Sequence, residues 1–174
     1  MAAAPETLTL KVHRDLEGRR WQAWLRRALL ALLALLLLAA LLNAFGQRPH
    51  FSTASSGAAT LDVFAPRHAR SGLVYAPRFT IHARRELKDA QLVFDQGWAS
   101  GYTVNGTAPQ PETEGSRNGK LVFGFGHVPA GHKLVFYLSL QVNPTIFGRR
   151  SQNVELDDNG TKLVTVRRHV TIFP

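Results

Sequence analysis

A run of apolar residues near the N-terminus limits this chain more than any other feature. Ala28 to Leu42 is 15 apolar residues without interruption, and Asn43, Ala44 and Phe45 extend the run to 18. At about 1.5 Å of rise per helical residue it is about 27 Å long, close to the roughly 30 Å hydrocarbon core of a bilayer. Trp21, Trp24 and Leu25 add an apolar stripe at i, i+3 and i+4. Their indoles suit the headgroup layer, and Arg26 and Arg27 stand where long cationic side chains snorkel. The pattern predicts one transmembrane α-helix over residues 21–46, with Trp21, Trp24, Arg26 and Arg27 at the membrane interface. A helix of a soluble domain keeps a polar face, which this run lacks.

A cleaved secretory signal has the same basic start and leucine-rich centre. Its core is usually shorter, about 7–15 residues, and it wants small residues before the cleavage point. Leu42-Asn43-Ala44 puts a leucine there, so the expectation is an uncleaved signal anchor. Lys11, Arg14, Arg19, Arg20, Arg26 and Arg27 stand on the N-terminal side of the apolar run, whereas Arg48 is the only Lys or Arg after it until Arg67. The positive-inside rule places the N-terminus in the cytoplasm and residues from about 48 onward outside the plasma membrane.

Residues 1–20 then read as a cytoplasmic basic tail, and the polar, small-residue stretch 47–59 reads as a flexible linker. About 125 residues remain after the helix, enough for one domain. With no cysteine in the chain, an exported domain has no disulfides to hold it, and thiol catalysis and thiolate metal sites are excluded. Net charge is +9, divided as +3 over residues 1–27 and +6 over residues 48–174. Anionic lipid accounts for the first part. The second part points to an acidic partner or to a solvated basic surface, and nucleic acid is not expected outside the cytoplasm.

From Thr60 the periodicity changes to alternation. In Lys133–Val142, Leu134, Phe136, Leu138, Leu140 and Val142 share one face. Tyr75, Phe79 and Ile81 repeat the pattern, as do Leu121, Phe123 and Phe125, and further strands are expected at 61–64, 90–95, 102–105, 154–156 and 163–173. In the last of these Arg168 interrupts the apolar register of Val164, Val166, Val170 and Ile172, which a bulge would accommodate. Asn105-Gly106, Asn118-Gly119 and Asn159-Gly160 mark turns. Seven or eight short strands without helical windows describe an all-β domain over residues 60–174, an antiparallel β-sandwich.

The run Gly119 to Pro144, which contains the turn Gly126-His-Val-Pro-Ala-Gly131 ahead of the long alternating strand, resembles the second half of the immunoglobulin-like modules of prokaryotic surface proteins. Leu73 to Gly97 is similar to their first half. The resemblance covers about residues 60–174 and implies an immunoglobulin-like antiparallel β-sandwich. It carries no catalytic residues to transfer.

Few constellations offer chemistry. The seven histidines include no H-x-x-x-H or H-E-x-x-H pair, and only His127 and His132 flank one turn, short of the three or four ligands zinc needs. Asp157-Asp158-Asn159-Gly160 opens like a calcium loop but continues into Lys162 and Val164, so oxygen ligands run out. Gly124, Gly126 and Gly131 precede no helix that would hold a phosphate. No G-x-S-x-G is present, and Glu112 and Glu114 lie in a proline-containing loop without forming an evident acid pair. No catalytic, cofactor or metal residues are expected. Asn105-Gly106-Thr107 and Asn159-Gly160-Thr161 match the glycosylation sequon, but the Ala/Leu/Arg-rich composition reads as bacterial, so both are taken as turns.

Two loops are candidate contact surfaces, residues 107–117 and 143–150. The second carries Ile146, Phe147, Arg149 and Arg150, the aromatic-plus-arginine makeup of interface anchors, although Ile146 and Phe147 would equally plug the end of the sandwich. The expectation is a single-pass, membrane-anchored, non-enzymatic binding protein, an accessory or scaffolding subunit docking on another membrane or envelope protein. The alternative is a module for cell-wall or anionic polymer, and the third reading is an envelope enzyme.

Overall fold

The strongest alternation in the sequence becomes the middle of a sheet. Lys133–Val142 pairs with strands on both sides and fully buries Phe136, Leu138, Leu140 and Val142. In the computed structural model, residues 20–42 and 48–174 are described, in two units divided between Phe45 and Gly46. The residues expected to form the cytoplasmic tail, apart from Arg20, lie outside the described residues, as do 43–47.

In the first unit α1 (Arg20–Leu41) is 22 residues long. Leucines on all its faces are exposed, and it is long and apolar enough to cross a membrane by length and composition. Trp21 and Trp24 are exposed near its start, and the Arg27 guanidinium lies 5.9 Å from the Trp24 ring centre.

The second unit runs through β1 (Pro49–Ser55), β2 (Ala59–Pro66), β3 (His68–Arg70), β4 (Val74–Tyr75), β5 (Arg78–Ala83) and β6 (Ala90–Phe94) to a short turn of helix, α2 (Gln96–Ala99). It continues through β7 (Tyr102–Ala108), β8 (Thr113–Arg117), β9 (Lys120–Gly124), β10 (Lys133–Val142), β11 (Gly148–Ser151), β12 (Val154–Asp158), β13 (Thr161–Val166) and β14 (His169–Phe173). One sheet is ordered β1-β2-β5-β10, with β4 and β7 also on β10. Arg78 and Ala108 both pair with Tyr137, and Tyr75 and Val104 both pair with Leu140, so β4 and β5 lie along one edge of β10 and β7 along the other. The facing sheet is ordered β13-β12-β6-β9-β8. Aromatic rings join the two layers, with Phe79 4.9 Å from Phe94 and Phe136 5.3 Å from Phe123, centre to centre. The result is the expected β-sandwich.

A third, three-stranded sheet, β11-β14-β3, has no counterpart in the sequence reading. It forms because two strands leave their sheets at tight corners. The chain turns out of β2 through Arg67 alone, and out of β13 through Arg167 and Arg168, and the strands that follow pair in parallel as β3 and β14.

Four expectations are corrected. The stretch 47–59 contains β1, whose seven residues pair with β2 in unbroken register from Pro49↔Pro66 to Ser55↔Thr60, because alternate residues His50, Ser52 and Ala54 turn toward the sandwich. Residues 107–117 are not one loop, since Thr113–Arg117 is β8, paired with β9 across the Asn118-Gly119 turn. Asn105-Gly106 is not a turn either but sits inside β7 where its register on β10 shifts, which absorbs the extra residue as a bulge. Residues 163–173 are two strands in different sheets, with the break at Arg167-Arg168. Asn118-Gly119 and Asn159-Gly160 do form hairpin turns, and all four residues have positive φ.

Candidate functional site

The two corners and the third sheet build an arginine-rich cleft of about 380 Å³. Its floor comes from strand register. Residues directly opposite one another in a sheet share a face, and Thr171 is paired with Arg149 on one side and His68 on the other, giving the row Arg149–Thr171–His68 across all three strands. His169, two residues before Thr171, falls on the same face. Arg67, Arg167 and Arg168 enter from the corners, and Ser52 comes from β1. Four arginines and two histidines therefore line one cleft, and among the described residues no carboxylate comes within ion-pairing distance of any of the four arginines.

Arg168 is the unusual member. Continuing the apolar register of β13 would place it on the core face, and it is only 5% exposed. Its Nη2 donates to the carbonyls of Ala65 (3.3 Å) and Pro66 (2.6 Å), and its guanidinium lies 5.4 Å from the Trp98 ring centre. Nε and Nη1 are buried without a hydrogen-bond partner. Burial brings its pKa down to about 10, opposed by the Tyr75 and Tyr102 phenols and reinforced by Arg67, so it remains a cation at neutral pH. Beside it Gln152 Nε2 donates to both phenol oxygens at 3.2 Å, and burial raises the pKa of both tyrosines. The positive field reaches His50, whose pKa is lowered by burial first and then by Arg67 and Arg168.

The residues expected to act as interface anchors divide. Ile146 packs against the core, over Gly101, while Phe147 stands 71% exposed. The loop that carries them is well tied. The Asn143 carboxamide oxygen accepts from Thr145 N (3.0 Å) and Oγ1 (2.9 Å), and Ser71 Oγ donates to the carbonyl oxygen of Ile146 at 2.9 Å. Arg149 lines the cleft, whereas Arg150, its neighbour on β11, pairs opposite Val170 and acts electrostatically on Tyr102.

A second hollow, on the outer face of the first sheet, differs in charge. Phe51 and Phe64 lie 4.5 Å apart there with Arg78 over Phe64, and Asp62 accepts from Thr53 and pairs with His82 at 3.3 Å. Its acid is internally matched. His127 pairs with Glu86 at 2.8 Å, while His132 Nδ1 lies 3.4 Å from the Ala130 carbonyl, so the two do not converge. Asp157 Oδ2 accepts from Arg117 and Asp158 Oδ1 from the Asp89 amide, so each carboxylate of the calcium-like turn is engaged through one oxygen. Among the described residues no three His, Asp or Glu side chains group as metal ligands.

Sequence reasoning missed Arg67, His68, Arg167 and His169 and valued Arg168 only for breaking a strand. The available signal was the Arg-His dipeptide at 67–68 and again at 168–169, each at the start of a short strand.

The fold and site define a β-sandwich domain with a basic cleft at a junction of sheets. No protein-family model matches the chain, and no curated protein matches its sequence. Solved structures similar in shape include CaCohA2 from Clostridium acetobutylicum, 15% identical, covering 60% of this chain and 86% of that one at a TM-score of 0.43. Another is a non-cellulosomal cohesin from the hyperthermophilic archaeon Archaeoglobus fulgidus, 12% identical, covering 73% and 92% at a TM-score of 0.42. At scores this low the description of the fold rests on this chain's own registers and core.

Proposed function

We infer that this chain is a single-pass protein of the plasma membrane, N-terminus inside, whose immunoglobulin-like sandwich stands outside and binds without catalysing. Its role is that of an accessory or scaffolding subunit docking on another membrane or envelope protein. The observation that carries this reading is Phe147, a large aromatic held 71% exposed on a hydrogen-bonded loop. An aromatic ordered before contact gives up little conformational freedom on binding, as interface anchors do. The anchor is supported by the length and uniform apolarity of α1.

The test is purification of the full chain from mild detergent beside its Phe147→Asp variant. We expect a stoichiometric membrane partner with the parent chain, its loss from the variant, and unchanged thermal unfolding. A partner retained by Phe147→Asp would remove this loop from the interface, and cross-linking that captured lipid and no protein would count against docking altogether.

The basic cleft favours a second reading, a module for an anionic envelope polymer. Salt separates the two, since polymer affinity would fall steeply with ionic strength and docking through Phe147 would not.

A further inference from the structure

We propose that the cleft between the third sheet and the two corners is a phosphate-binding site, taking a phosphomonoester or phosphodiester group on Arg67, Arg149 and Arg167 with Arg168 behind them. The proposal concerns a small-anion site and stands whether or not Phe147 docks a protein.

Isolated buried cations cost several kcal/mol unless paired, and here the Arg168 guanidinium has the ring of Trp98, two backbone carbonyls and the nearby phenols of Tyr75 and Tyr102, with no carboxylate within ion-pairing distance among the described residues. Three more arginines stand at the same place, so mutual repulsion adds to the cost. Elsewhere in this domain an arginine does meet a carboxylate, Arg117 with Asp157. Omitting the acid at the one place where four arginines meet leaves a counter-charge to be supplied from outside.

A carboxylate offers two oxygens and one charge, which a single guanidinium satisfies. Arg67, Arg149 and Arg167 are exposed and come from three separate segments, and none of their side chains has a hydrogen bond or ion pair among the described residues. They match a tetrahedral oxyanion, whose three or four oxygens accept from several directions. The Thr171 and Ser52 hydroxyls add neutral donors. Buried Arg168 has its field screened less than that of a surface cation. A volume of about 380 Å³ falls in the range of small-molecule sites, about 300–1,000 Å³, leaving room for the group that carries the phosphate.

The test is calorimetric titration of the full chain in a neutral detergent at low ionic strength. Inorganic phosphate and pyrophosphate represent a free phosphate, and glycerophosphoglycerol represents a lipid headgroup. We expect at least one to bind. The double substitution Arg67→Gln/Arg149→Gln should weaken that binding by about tenfold or more, as loss of charge-assisted hydrogen bonds requires. Arg84→Gln/Arg85→Gln, at two exposed arginines outside the cleft, should leave it unchanged, as should Phe147→Ala. Tighter binding of the diester identifies a headgroup as the source, and tighter binding of the free anions identifies a soluble phosphate. Binding of none of the three, or equal loss in both arginine pairs, overturns the proposal.

Discussion

At Gly97 a single hydrogen atom is structural. A Cβ there would coincide with the Ser151 carbonyl, which is backbone and not the end of a flexible side chain. The neighbouring Asp95 side chain accepts from Gly97 N, Ser151 Oγ and Asn153 N, and Trp98 Nε1 donates to the Asn153 carbonyl at 3.1 Å. Gly97→Ala should therefore cost about 3 kcal/mol or more, in the class of overpacked cores and broken buried networks, read as a lower midpoint of thermal unfolding in detergent. Asp157 gives a prediction of the opposite sign. Burial raises its pKa, with Glu155 adding to the effect against Arg117 and Lys162, and its Oδ1 is buried without a partner. A carboxyl that holds its proton more tightly when folded costs stability once it ionises, above its folded pKa. Asp157→Asn should unfold at a higher temperature than the parent chain at neutral pH. The two should converge as the pH falls below the ordinary aspartate value of 3.8.

Which elements were legible depended on whether local pattern or long-range closure formed them. β10 announced itself because five apolar residues at spacing two leave one burial choice, and the Asn-Gly turns at 118 and 159 because left-handed backbone selects those residues. β1 did not, since His50-Phe51-Ser52-Thr53-Ala54 has the composition of a linker and becomes a strand through its partner β2. The same cause hid the third sheet, whose parallel β3–β14 pair joins residues about a hundred positions apart. It hid the cleft as well, because Arg67 and Arg167 come to line one cleft only after that pairing, whereas Phe147 and Arg149 could be read from one loop. Hydrogen exchange decides between strand and linker for 49–55. The amides that β1 turns toward β2 should exchange about a hundredfold or more slower than an unstructured chain, as amides in an opening-limited ladder do. Uniformly fast exchange across 49–55 would restore the linker.

For the whole molecule, the proposed membrane anchor makes the side on which the sandwich stands the decisive question, since an arginine cleft would meet different anions on each side. Six Lys and Arg residues lie before the apolar run and Arg48 alone lies close after it. Positive charge is retained on the cytoplasmic side, and the bias acts within about 15–20 residues of the helix ends. Arg26 and Arg27, together with Arg19 and Arg20 a turn or two earlier, fall inside that distance, so the bias is strong where it has effect. In intact cells, protease added from outside should digest a tag placed after Pro174 and spare one placed before Met1. Permeabilising the membrane should expose both. Substituting Arg19, Arg20, Arg26 and Arg27 with glutamine, and adding three lysines after Arg48, should shift part of the population to the reverse pattern. A parent chain already digested at the N-terminal tag would place the cleft in the cytoplasm. The phosphate site would then face soluble phosphorylated compounds there, while the proposal of an extracytoplasmic docking subunit would fall.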